Sequence, residues 1–135
     1  MKTIVNVYVE KAKDGTYWAT SKNAPGVVSA FGDSLEELKE KFTEAFNDYL
    51  ETAKEVGEDW YEKYQDPKFV YEMDLGEFFA LVPELKISAI AKKARINQSL
   101  MRQYATGSAN ASEQRLKQIE SAVHQLGNEL LSVSF

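Results

Sequence analysis

A short polar run in the last third of the chain carries side chains that can contact the edges of DNA bases. Its members are Asn97, Gln98, Ser99, Arg102 and Gln103. Asn and Gln form paired hydrogen bonds with adenine in the major groove, and Arg does so with guanine. Because Leu100 is placed to pack inward, the polar residues are expected on the outward side. The run therefore indicates either DNA contact or the solvated face of a helical corner that packs a small core.

Two short helices joined by a tight turn must position these residues. The segment IAKKARINQSLMRQYATG, residues 90–107, predicts helices over 88–94 and 98–105. A helix-turn-helix needs small residues where its helices cross and an apolar residue in the turn. Ala91, Ala94 and Ile96 meet these needs. The flanking side chains that could contact phosphates are Lys92, Lys93, Arg95, Ser108 and Asn110.

The first half of the chain predicts a small α+β layer structure in which one helix lies across a sheet. Alternating β-branched and aromatic residues, with an Asp-Gly and a Pro-Gly turn, predict a three-stranded meander. A helix follows from the cap Ser34 to about Gly57, with Glu37 placed for a capping box. The predicted strands are Thr3–Glu10, Tyr17–Thr20, Val27–Phe31 and, after the helix, Phe69–Met73.

Charge is unevenly divided along the chain. Residues 1–74 hold 9 Lys and 16 Asp or Glu, a net charge of −7, whereas residues 85–117 hold 7 basic residues and 1 acidic residue. The long helix presents five carboxylates on overlapping turns. They are candidates for binding a basic partner, or they only keep an exposed helix soluble. These residues are Glu37, Glu40, Glu44, Asp48 and Glu51.

Residues 75–135 predict only helices, so the domain boundary is expected near 73–76, between a 1–74 domain and a 75–135 domain. The final helix, over 112–133, carries apolar residues at alternating steps of three and four, as in a coiled-coil seam. The seam predicts a homodimer that places two recognition helices one DNA turn apart, with tetramers left open. The alternative is that the helix covers the core of its own domain. The seam residues are Leu116, Ile119, Val123, Leu126 and Leu130.

The second half also resembles a known DNA-binding family. The run IAKKARINQSLMRQYATGSANASEQRLKQIESAV is similar to the lambda-repressor-like, or XRE-type, helix-turn-helix family. That family usually has glycine before the turn, where this chain has Arg95. The resemblance implies a domain that binds double-stranded operator DNA.

The first half resembles the HicB antitoxin family. It shares Asp14-Gly15-x-Tyr17, Pro25-Gly26 and Gly32-Asp33-Ser34-x-Glu36-Glu37, and it departs at Asn23-Ala24 and at Val27, where many members have cysteine. The resemblance implies a partial ribonuclease-H-like domain that neutralises a small, basic, HicA-like toxin, an mRNA-cleaving ribonuclease. It also implies that the C-terminal domain represses the operon of both proteins.

Other kinds of site are disfavoured by the residue types. The chain has no cysteine and one histidine, His124, so thiolate or ordinary zinc sites are not expected. The first strand lacks the central carboxylates of a two-metal nuclease, so no catalytic residue, metal or cofactor is predicted. Neither a membrane span nor a signal peptide is predicted, and a cytoplasmic location is expected. The alternatives are a stand-alone transcription regulator whose N-terminal domain senses a ligand or protein, and a degenerate nuclease.

Overall fold

The computed structural model describes residues 2–135 and has a mixed α+β fold, which confirms the predicted fold class. The chain divides into two compact units, Met1–Asp74 and Leu75–Phe135, here the N-terminal and C-terminal units. The sheet belongs to the first unit, and the second is built from helices.

The N-terminal unit contains a four-stranded sheet, one long helix and a short 3-10 helix. The strand order is β3-β2-β1-β4, with β1, β2 and β3 antiparallel and β4 parallel to β1. The sequence predicted the meander and a fourth strand, but not the parallel pairing. A parallel pair needs a long crossover, and α1 with the 3-10 helix provides it. The elements are β1 Ile4–Lys11, β2 Tyr17–Ser21, β3 Ser29–Gly32, α1 Leu35–Glu55, the 3-10 helix Tyr61–Tyr64 and β4 Lys68–Met73.

The core of this unit lies between one face of the sheet and α1. Alternate residues of β1 point to the same face, and the buried ones are valines at positions 5, 7 and 9. From the helix, Leu38, Phe42 and Phe46 are fully buried against them. The Phe69 ring meets those of Phe42 and Phe46 edge-on, with centroids 5.2 and 5.1 Å apart. Edge-to-face ring contacts add to the stability given by burial.

Capping groups define both ends of α1. The Ser34 hydroxyl accepts a hydrogen bond from the backbone N–H of Glu37 at 3.1 Å, as predicted. The Glu37 carboxylate accepts from the N–H of Asp33 at 3.4 Å, one residue before the partner that a capping box requires. At the other end, Gly57 adopts a φ of +77° and Glu58 N–H donates to the Ala53 carbonyl at 2.9 Å. This is a Schellman ending, which favours glycine.

The Asn23 side chain binds the backbone of the first residues of β1. Its Oδ1 accepts from the Asn6 N–H at 2.8 Å, and its Nδ2 donates to the Ile4 carbonyl at 3.0 Å. The carboxamide therefore takes the place of a neighbouring strand's backbone. An aspartate at this position could accept the first bond but could not donate the second.

The C-terminal unit consists of four helices around a separate apolar core. Met101 is fully buried, whereas Leu100, which the sequence placed inward, is partly buried at the edge of the core. Ile90 and Ile119 are the other large buried aliphatic residues on its helices. The helices are α2 Leu75–Leu81, α3 Ile87–Ala94, α4 Gln98–Thr106 and α5 Glu113–Leu131, and the ends of the last three lie within two residues of the predicted ones.

Candidate nucleic-acid interface and acidic helix face

The turn between α3 and α4 is a Schellman ending in which the chain reverses around Arg95. Arg95 adopts the left-handed conformation, with φ +60° and ψ +42°. Its N–H donates to the Lys92 carbonyl at 3.2 Å, and the N–H of Ile96 donates to the Ala91 carbonyl at 2.9 Å. Ile96 is buried, which confirms its role as the apolar residue of the turn. A bulky residue at positive φ is strained, so the fold tolerates Arg95 where glycine would fit better.

Helix α4 presents a polar face to solvent. Four of the five predicted base-contacting residues are exposed on it: Gln98, Ser99, Arg102 and Gln103. Since positions three and four apart on a helix are neighbours, these side chains form one continuous surface. They can donate and accept hydrogen bonds at the edges of bases.

Asn97, just before α4, is exposed and has a structural role. Its Oδ1 accepts from the Leu100 N–H at 3.1 Å, which caps the N-terminus of α4. The oxygen keeps a second lone pair and the Nδ2 group keeps its two donors, so the cap leaves Asn97 able to form further hydrogen bonds. Asn97 therefore positions the helix, and its contact with a base stays a prediction. This capping role could have been predicted from the sequence, because Asn is a favoured N-cap just before an apolar-periodic segment.

The predicted phosphate contacts differ in availability. Lys92, Ser108 and Asn110 are exposed, and Ser108 Oγ lies 3.0 Å from Thr106 Oγ1. Lys93 is instead three-quarters buried at its side chain and forms an ion pair of 2.8 Å with Glu129 on α5. No local pattern predicts this pair, because the two residues are 36 positions apart.

The structure buries one residue of the predicted dimer seam on α5, Ile119, in the unit's own core and leaves the other four partly or largely exposed. Ile119 is only 2% exposed, and Val123 and Leu126 pack against the same cluster. Ile119 therefore cannot form the centre of an interface with a second copy, whereas Val123 and Leu126 are only partly buried. Apolar residues at steps of three and four occur both in coiled-coil interfaces and in helices that pack on their own domain. The sequence therefore did not distinguish the two.

Apolar side chains near the end of α5 remain exposed. Leu130 is 66% exposed, and the residues that follow it are also outside the core. Contiguous exposed apolar residues mark a candidate contact surface. This set, the C-terminal apolar group, is Leu130, Leu131, Val133 and Phe135; Leu116, nearer the start of α5, is also exposed.

The five carboxylates predicted for partner binding lie along α1. Glu40, Glu44, Asp48 and Glu51 are exposed, and Glu37 is half-buried at the capped end. Among residues 2–135, none of the ion pairs includes one of these carboxylates. The nearby Lys39 ammonium lies over the Tyr71 ring, 5.1 Å from its centroid. The acidic helix face therefore meets solvent with its charge uncompensated by ion pairs.

Asp14 has a structural role in the first hairpin. Its Oδ1 accepts from the Thr16 hydroxyl at 2.6 Å and from the Thr16 N–H at 3.0 Å. These hydrogen bonds, the side-chain one above all, hold the pKa of Asp14 below its ordinary value.

His124 lies exposed on α5. Within residues 2–135, no group of three or more His, Asp or Glu side chains is arranged to hold a metal ion.

Comparisons with protein-family models, with curated proteins and with solved structures find no significant match to the chain. In the described part of the chain, no helix combines the length and apolar character needed to cross a membrane. The partial ribonuclease-H-like fold, the HicB resemblance and the XRE resemblance therefore stay predictions from sequence.

Proposed function

We propose that this chain is an antitoxin of the HicB kind, which binds operator DNA through its C-terminal unit and a small basic toxin through its N-terminal unit. The DNA-binding half rests most directly on one observation. The exposed face of α4 is polar and carries Arg102 and two glutamines, while the turn before it is fixed by buried Ile96. A rigid helix with such side chains is suited to the major groove.

Electrostatics support the same half of the proposal. The segment 85–117, which spans α3, α4 and the start of α5, is the most basic part of an otherwise acidic protein, with 7 basic residues and 1 acidic residue. Cationic side chains that neutralise phosphates supply the sequence-independent part of DNA affinity. Lys92 is exposed at the end of α3, next to the turn, and is suited to this role.

A second copy of the chain is the partner that we propose for the C-terminal apolar group. Operator sites read by helix-turn-helix proteins are two-fold symmetric, and a dimer matches that symmetry. The exposed residues at the end of α5 supply apolar area that the unit itself does not cover. In this arrangement Leu130 and its neighbours replace Ile119 as the centre of the interface.

The toxin-binding half rests on the acidic helix face. A ribonuclease that grips RNA must present cations to phosphates, and unpaired carboxylates on consecutive turns of α1 can meet those cations. Such complementarity increases association rate and specificity. The chain would inhibit the toxin by covering its RNA-binding surface, so the chain itself would be a binding protein and not an enzyme.

Two substitutions and their matched controls test the DNA assignment. Binding is measured on duplex DNA from upstream of the chain's own gene and on a shuffled duplex, over a series of salt concentrations. Gln98→Ala should weaken binding to the upstream duplex by about 1–3 kcal/mol and leave the shuffled duplex unchanged. Lys92→Ala should weaken binding to both duplexes equally. It should also reduce the slope of log affinity against log salt concentration by about 1.

The controls are Gln125→Ala on α5 and Lys41→Ala on α1, which remove the same groups from other exposed positions. If Gln98→Ala behaves like Gln125→Ala, the assignment of α4 is wrong.

For the toxin, the chain is co-expressed with the product of the neighbouring gene. Failure of the two proteins to co-purify would favour a stand-alone regulator.

A further inference from the structure

Strand β3 is a free edge of the sheet in the N-terminal unit. It pairs with β2 on one side only. The Ser21 N–H donates to the Val28 carbonyl at 2.9 Å, and hydrogen-bonded positions alternate along an antiparallel pair. In the register of β2 and β3, the backbone N–H and C=O groups of Ser29 and Phe31 therefore point away from β2. They face the open edge, where another strand can pair with them.

Apolar side chains cluster along this edge. Phe31 is 57% exposed, and its ring stacks on that of Trp18 with centroids 4.9 Å apart. Val27, just before the strand, is 78% exposed, and Leu35, just after it, is also exposed. Four exposed residues, on or next to β2 and β3, are what we call the apolar edge patch: Trp18, Val27, Phe31 and Leu35. Aromatic anchors surrounded by a polar rim are typical of protein interfaces.

The rim of the patch is acidic. Residues 25–37 contain no Lys or Arg, whereas Asp33, Glu36 and Glu37 close the segment. Natural edge strands are commonly protected by lysine, by proline or by being short, and β3 is short but contains neither lysine nor proline. An uncharged edge with a negative rim disfavours a second acidic copy of this unit and favours a cationic partner.

The end of β3 lies against the first turn of α1. A Cβ atom added to Gly32 would lie 2.9 Å from the backbone nitrogen of Leu38, so only glycine lets β3 lie this close to the first turn of α1. That turn carries Glu37, the first residue of the acidic face. The edge strand and the carboxylates can therefore contact one partner together.

We propose that a basic partner protein adds a strand to the edge of β3 and seats apolar side chains on the apolar edge patch. The inference rests on the proposed function and locates the toxin's main contact. Backbone pairing supplies orientation and the patch supplies anchoring, as in other strand-addition complexes. The strand is four residues long, so the side-chain contacts must carry much of the affinity.

A matched pair of substitutions tests the patch. Val27→Lys places a cation in the patch, and Val56→Lys places one at the far end of α1, where Val56 is 68% exposed. Both substitutions add one positive charge, so they change the long-range electrostatic attraction to the partner equally. With the purified product of the neighbouring gene as the probe, Val27→Lys should weaken the equilibrium affinity at least about tenfold and Val56→Lys less than about twofold.

Hydrogen exchange tests strand addition directly. Amide exchange at Ser29 and Phe31 should slow in the wild-type complex, because their N–H groups become paired. Equal effects of the two lysine variants, or unchanged exchange at both amides, would overturn this inference while leaving the antitoxin proposal intact. If the wild-type chain does not bind the probe, both proposals fail. If sedimentation shows that Val27→Lys instead dissociates copies of this chain, the occupant is a second copy and the inference is wrong.

Discussion

The Lys93 ammonium lies 2.8 Å from the Glu129 carboxylate and joins the end of α3 to α5. Lys93 is one of the residues predicted to meet DNA phosphates, so in the proposed function this carboxylate would compete with DNA for the lysine. An ion pair between partly exposed groups contributes only about 0–1 kcal/mol to stability. If the chain binds DNA as proposed, a phosphate would displace Glu129 from Lys93 at small cost to the fold.

Glu129→Gln should strengthen DNA binding. Without the carboxylate, Lys93 becomes available to a phosphate, and the slope of log affinity against log salt should become steeper by about 1. The control is Glu120→Gln, which makes the same change on α5 in a residue paired with Lys117 on the same helix. Titrations of both variants at several salt concentrations measure the difference. Equal slopes for the two variants would mean that Lys93 does not contact DNA.

Sequence predicted the parts of the fold that depend on neighbours in the chain. The cap at Ser34, the turn around Ile96 and the polar face of α4 follow from local residue types and spacing. The Lys93–Glu129 pair and the parallel pairing of β4 depend on contacts between distant segments, which local patterns do not encode. Ile119 lies between these cases, because its spacing marks an apolar helix face but does not say whether its own unit or a partner covers it.

Arg95→Gly should raise the stability of the C-terminal unit. The left-handed conformation costs a non-glycine residue about 1–2 kcal/mol, and glycine's greater unfolded-state freedom cancels part of that gain. The free energy of unfolding should therefore rise by about 0.5–1 kcal/mol. Urea unfolding followed by helical circular dichroism measures it.

The control for this prediction is Arg102→Gly, the same change at a position inside α4. It should lower the stability by about 1 kcal/mol, because glycine is unfavourable in a helix interior. A loss of stability in Arg95→Gly as well would show that the arginine side chain makes contacts that outweigh its backbone strain.

Ile119→Ala and Leu130→Ala should separate folding from self-association. Ile119 is buried in the core of its own unit, so its truncation should cost about 2–4 kcal/mol of stability. Leu130 is exposed, so its truncation should change monomer stability by less than about 0.5 kcal/mol and weaken dimerisation. Urea unfolding and sedimentation velocity provide the two measurements. Undiminished self-association in Leu130→Ala would place any dimer interface elsewhere.

Asp14 should make the first hairpin pH-dependent. Its folded pKa is lowered by hydrogen bonds from Thr16, so its stabilising contribution is present above the unfolded pKa of about 3.9. The contribution is lost as the pH falls through the lower folded value. In Thr16→Val the carboxyl should titrate at a higher pH than in the wild type, as followed by NMR. Identical midpoints in the two proteins would show that Thr16 does not set the pKa.

Reversing Glu40 and Glu44 to Lys should slow association with the basic partner several-fold, in line with the steering effect of surface charge. The two carboxylates are exposed one helical turn apart on the acidic face of α1, where a cationic partner would first meet the chain. The control reverses Glu58 and Glu62, which are exposed beyond the end of α1 and change the net charge equally. Stopped-flow association at low and high salt measures the rates, and the difference between the two double variants should shrink as salt screens the charges. DNA binding should stay unchanged in both. Equal rates at low salt would mean that only net charge matters and that the acidic helix face is no more than a solvated surface.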